Sequence, residues 1–148
     1  MSPSRILVLG ALLFAPVPSL AQVDLTAPPS DAPAEQNDGI KRDPLTTMFD
    51  NFAISGVVAG MCKPPDEALM SRFVGNFGVV QQMMIRRIRQ QMPDKPAKEI
   101  GEMLESRMQN LNMLATNAVQ SKGCTSPEIT PLIDQFAVNA SMDFNKRP

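Results

Sequence analysis

Histidine, tryptophan and tyrosine are all missing from this chain, and cysteine occurs only twice. Without histidine neither a Ser-His nor a Cys-His nucleophile pair can be assembled, and a general base working near neutrality has to be a carboxylate. Two thiols with no imidazole beside them are a poor set for zinc, and Cys62 and Cys124 stand too far apart for a CxxC redox motif. Lys plus Arg number 14 against 15 for Asp plus Glu, so the basic excess of a nucleic-acid binder is absent. No run alternates strictly between apolar and polar residues, which argues against half-buried strands. Beyond the N-terminal apolar run, no segment is expected to be long and apolar enough to cross a bilayer.

What is there begins with an export pattern. Met1 to Arg5 supply a charged start, residues 6–17 an apolar stretch broken by Pro16, and Ser19-Leu20-Ala21 a small-residue site, the order of a secretory signal peptide. Cleavage is expected after Ala21, giving a signal peptide over 1–21. Residues 22–44 are rich in Ala, Pro and Asp and poor in large apolar groups, which predicts a disordered tail. One domain over 45–148 remains. In an oxidising compartment two cysteines in one chain default to a disulfide, Cys62 to Cys124. The expected location is periplasmic, or secreted where the source has no outer membrane.

Prolines divide the domain into four stretches with helical apolar spacing, predicted at about 45–62, 66–92, 96–122 and 127–143. Asp43-Pro44 reads as an N-cap followed by a first-turn proline, and Lys63-Pro64-Pro65 ends that helix. Pro65-Asp66 opens the second and Pro93 closes it. Gly123 suits a left-handed cap on the third. Thr125-Ser126-Pro127-Glu128 fits a capping box for the fourth, with Pro131 delaying the regular start by about one turn. Short connections favour antiparallel neighbours, so the fold class is all-α, a small antiparallel four-helix bundle with one disulfide. Such a bundle brings the two helix junctions that hold the cysteines to the same end.

Four groups of residues invite a functional reading. From Phe52 to Cys62 the first helix carries no charge and is apolar all round; with Phe52, Gly56, Ala59 and Gly60 turned to the core, Ile54, Val57, Val58 and Met61 form a second stripe that needs cover from the tail, another subunit or a client, unless the first helix is itself buried at the centre of the domain. Arg86 and Arg89 point away from the apolar stripe of the second helix, with Arg87 at its edge: a solvated face, or a contact for anionic headgroups or an acidic partner. Arg107 falls in the middle of the third helix's apolar stripe and requires a partner, for which Asp50, Asp134 and a helix C-terminus are the candidates. Met103, Met108 and Met113 are five apart, about 140° of rotation per step, so Met103 and Met113 cannot both join Met108 on one narrow face; core filler is the favoured reading, and a Met-rich copper site is the less favoured alternative. Glu99, Glu102 and Glu105 recur on the outer side of the same helix and read as a solvated face, with a carboxylate-dependent enzyme as the less favoured alternative.

The sequence thus favours an exported, non-enzymatic binding, adaptor or accessory protein without cofactor or metal. Its expected partner is another envelope protein or a client polypeptide; contact with a membrane surface or a second copy fits the same surfaces, and nucleic acid does not. In layout alone, a small helical exported domain with one long-range disulfide, the chain resembles the acid-activated periplasmic chaperones of the HdeA kind. That resemblance implies an acid-stress chaperone as the alternative function and transfers no residues, because no motif carries it.

Overall fold

Four helices account for the residues that the computed structural model describes, 38–144: α1 (Pro44–Cys62), α2 (Glu67–Gln91), α3 (Ala97–Lys122) and α4 (Thr130–Ala140). The expected signal peptide, residues 22–37 of the expected tail and residues 145–148 lie outside that range. Local chemistry sets most boundaries. Asp43 accepts a hydrogen bond from the Thr46 N–H at 2.9 Å and Pro44 fills the first turn; Asp66 does the same for Leu69 at 2.8 Å. Each cap satisfies an otherwise orphan donor and contributes about 1 kcal/mol. The C-terminal boundary of α2 lies just before Met92-Pro93, since proline disfavours helical backbone in the residue before it.

α4 is shorter than the predicted 127–143. Pro131 has no N–H to donate, so regular helix starts only at Thr130, and residues 124–129 form turns closed by Ser126 N–H to Gly123 C=O and Ile129 N–H to Ser126 C=O. The expected capping box does not form: Ser126 Oγ accepts from the Ile129 N–H at 3.3 Å, and Glu128 pairs with Lys122 at 2.5 Å. Gly123 has φ 79° but ψ 156°, extended rather than left-handed helical.

Directions follow from cross-contacts. Asp43 meets Arg87 and Phe52 meets Phe73, so α1 and α2 are antiparallel. Asp50 meets Arg107 and Cys62 meets Cys124, so α1 and α3 run parallel, as up-down-up-down topology requires. Adjacency, however, departs from the expected order. α1 packs against all three other helices, while the backbones of α3 and α4, consecutive in the chain, stay apart. The turns of 124–129 carry the chain across the end of α1, where Ile129 is buried beside Val58.

That central position explains α1's composition. Contrary to expectation, its 19 residues are long and apolar enough, by length and composition, to cross a membrane. In this fold the same apolar circumference is used by helices on three sides. One cluster gathers Phe49, Phe52, Phe73, Val80, Met84, Ile88, Ile100, Leu104, Leu111 and Phe136; a second gathers Val58, Ala115, Val119 and Ile129. Phe73 and Phe136 stack with centroids 4.3 Å apart, and Phe52 stacks on Phe77 at 5.5 Å. At Gly56 a Cβ would sit 3.1 Å from the Phe73 ring, so glycine there permits the close approach of α1 and α2. Gly60, expected on the same face, is exposed with open space around it.

Candidate functional site

The second apolar stripe of α1 is not a free surface. Val58 is fully buried, and Ile54 and Val57 are partly buried against the cluster of Val58, Ala115, Val119 and Ile129, on which Leu132 and Ile133 of α4 also pack. The cover expected from a tail, subunit or client comes from α3 and α4 of the same chain. Only Met61, at 43% exposure, remains open. Of the two expected readings this is the centrally buried helix, and Ile54, Val57 and Val58 are not a free contact stripe: their contacts are made within the bundle.

Beside that cluster Cys62 and Cys124 form the disulfide, with Cα atoms 5.4 Å apart and 62 positions between them in sequence. It fastens the C-terminal ends of α1 and α3 together, at the common pole expected for them.

Nearer the other end of α1, the same two helices are joined by charge. Arg107 is 3% exposed; its Nε and Nη2 donate to the two carboxylate oxygens of Asp50, each at 2.7 Å, and its Nη1 donates to Asp38. Burial works against the guanidinium charge, but the hydrogen bonds and charge of Asp50, then those of Asp38, outweigh it and hold the group more firmly protonated than an ordinary arginine. Asp50 was among the expected partners and Asp134 was not chosen. Asp38 was not anticipated, because residues 38–43 fall within the stretch assigned to a disordered tail.

Those residues instead lie on the bundle as a strap. Asp38 Oδ1 accepts from the Ile40 N–H at 2.9 Å, Gly39 takes φ 73° beside the tips of Met92 and Met103, Ile40 is buried in the main cluster, and the buried Thr46 hydroxyl donates to Lys41 C=O at 2.9 Å. The signal in the sequence was short: an Asp-Gly turn followed by one large apolar residue.

A polar network that the periodicity also missed ties α1, α2 and α4. Asn139, 1% exposed, donates through Nδ2 to Ser55 Oγ at 3.0 Å; Ser55 Oγ donates to Phe52 C=O, and Gln135 Nε2 donates to Asn139 Oδ1 at 2.9 Å. Asn76 Nδ2 donates to the carbonyls of Asn139 and Met142, each at 2.9 Å, satisfying the open end of α4. Asn139 interrupts an apolar stripe, which is the cue a helical wheel offers.

Arg86 and Arg89 are exposed on α2, as expected, and Arg87 pairs with Asp43 at 3.1 Å. The Asp43 carboxyl is held below its ordinary value, first by the Thr46 N–H and then by Arg87, with burial opposing. No group of three or more His, Cys, Asp or Glu converges on a metal position among the described residues. An open depression bordered by Ala137, Val138, Ser141 and Met142 brings no ionisable side chain together. The methionines expected as filler split: Met103 and Met108 pack on the core, and Met113 is 56% exposed. No family model, no curated protein and no solved structure matches this chain.

Proposed function

We propose that the protein is an exported, non-enzymatic binding or accessory protein of a cell envelope whose contact surface is the outer face of α2, including Arg86 and Arg89. The observation that carries this reading is the concentration of positive charge on that face: among the described residues, Arg72, Arg86 and Arg89 are exposed on one helix and take part in no ion pair, whereas Arg87, Lys95, Lys98, Arg107 and Lys122 each meet a carboxylate; the other exposed cations among those residues without an ion pair, Lys41, Arg42 and Lys63, flank α1 and share no face. The disulfide supports the compartment, since such bonds persist where thiols are not kept reduced. The reading is non-enzymatic because the fold spends its buried polar groups on each other, in the Arg107 and Asn139 networks, rather than aiming them at a shared cleft.

A photo-cross-linking amino acid at Gln82 or Gln90 of α2, compared with one at Met113 on the outer side of α3, tests this in the native envelope. Adducts are expected from α2 alone and should be lost on Arg86→Glu with Arg89→Glu. Equal adducts from both helices, or none from α2, would contradict it.

The chaperone reading has one observation in its favour. Three carboxylates, Asp38, Asp43 and Asp50, hold the strap and the start of α1, over the apolar surface that Ile40 covers. It requires suppression of client aggregation near pH 3, where carboxylates lose charge, and failure to suppress aggregation there removes it.

A further inference from the structure

From Ala68 to Gln91, α2 has Arg72, Arg86, Arg87 and Arg89 and no carboxylate, while α3 mixes Lys98, Glu99, Glu102, Glu105 and Lys122 on its outer side. Arg72, Val79, Met83 and Arg86 fall within an arc of about 60° at 3.6 residues per turn, and the two arginines stand about 21 Å apart along the axis. Val79 and Met83, between them, are 40% and 36% exposed. Arg89 flanks this stripe, and Gly75 beside it leaves open space. The core side of α2, with Phe73, Val80, Met84 and Ile88 about 125° around the helix from the stripe, is fixed, so the stripe cannot turn inward.

From this pattern, resting on the reading of α2 as the contact face, we infer that the stripe lies on an anionic lipid surface. The arginines would engage headgroup phosphates while Val79 and Met83 sit at the acyl boundary. Three features favour lipid over an acidic polypeptide. The stripe follows one straight helix on the outside of the bundle. Its apolar residues lie between the charges rather than in a groove that would seat a peptide. Every cation on it is arginine, whose planar fork matches phosphate oxygens. Charge complementarity supplies the occupant: unpaired guanidinium groups meet a surface that is negative throughout.

Co-sedimentation of the purified, oxidised protein with vesicles of phosphatidylglycerol and phosphatidylcholine, against phosphatidylcholine alone, tests the inference. Each basic residue near such a surface is worth about fivefold in partitioning. Replacing Arg72→Gln, Arg86→Gln and Arg89→Gln together should therefore weaken binding to the anionic vesicles about 100-fold, with helicity and thermal midpoint unchanged. Val79→Ser with Met83→Ser should weaken it several-fold, and salt should weaken the parent. Binding that ignores the arginines, no preference for anionic vesicles, or equally tight binding of poly-glutamate would overturn the lipid assignment. If vesicle binding fails while arginine-dependent cross-links to an envelope protein persist, the contact-face reading stands without it; if both are indifferent to the arginines, both fall.

Discussion

α1 and α3 lie side by side and are fastened by different chemistry at two levels. Toward their C-terminal ends the tie is covalent, Cys62 to Cys124, beside the apolar group of Val58, Ala115, Val119 and Ile129. Toward the start of α1 it is ionic, with Arg107 shared between Asp50 and Asp38, and that tie also anchors the strap. The covalent tie acts mainly by limiting the unfolded chain, so it gains from the long loop it closes. The ionic tie acts in the folded state alone: its value depends on every partner being in place, because a buried charge left half-paired costs more than the pair contributes. One pole should therefore respond to reductant and the other to single side-chain changes.

The largest effect is expected at the covalent pole. Cys62→Ser with Cys124→Ser, or full reduction, should cost about 4 kcal/mol by the chain-entropy relation, and about 15 °C or more in thermal midpoint for a domain of this size. A change of only a degree or two would mean that Val58 and its neighbours hold that pole unaided. At the ionic pole, Asp50→Asn keeps the shape but leaves Arg107 short of charge, and about 3 kcal/mol should be lost in urea unfolding. Loss equal to that of an exposed aspartate would show that Asp38 suffices.

How far the sequence disclosed these poles differs for each. Asp43-Pro44, Asp66 and Pro93 mark helix ends through bonds made within a few residues, and such signals can be read from the chain directly. The cysteine pole was legible because topology alone places it. The coverage of Ile54, Val57 and Val58 was not: it depends on α3 and α4 flanking α1, a matter of which helices pack, and the apolar pattern of α1 is the same for a central helix as for one awaiting a partner. The need of Arg107 for a partner was legible, and Asp50 was among those expected. Asp38 was hidden by the composition around it, since averaging over a polar stretch obscures one Asp-Gly turn and one isoleucine. Asn139 stood out on its apolar stripe, but its partner did not: the hydroxyl of Ser55 that satisfies it lies on another helix.

Two smaller effects sharpen the contrast. Asn139→Ala leaves the buried Ser55 hydroxyl with a single partner and opens a small void, for an expected loss of about 2 kcal/mol seen equally in oxidised and reduced protein, since the network belongs to neither pole. Smallest is a pH effect at the start of α1. The Asp43 carboxyl lies lower in the fold than its unfolded value of 3.8, so its stabilisation is fully present above that pH and is lost as pH falls through the lower, folded value. Asp43→Asn should flatten the acid limb of a stability-against-pH curve below about pH 4, where an unperturbed aspartate titrates. An unchanged limb would assign acid sensitivity to other carboxylates.

Native-state hydrogen exchange, followed by peptide in the oxidised parent, in Asp50→Asn and in the double cysteine-to-serine variant, addresses the two-tie arrangement directly. Asp50→Asn should raise exchange most in residues 38–46 and around Arg107, a local loosening of the folded state, whereas the cysteine variant, acting through the unfolded chain, should lower the protection of the slowest amides of all four helices together. Deprotection confined to the neighbourhood of Cys62 in the cysteine variant, or an unaffected strap in Asp50→Asn, would contradict the account.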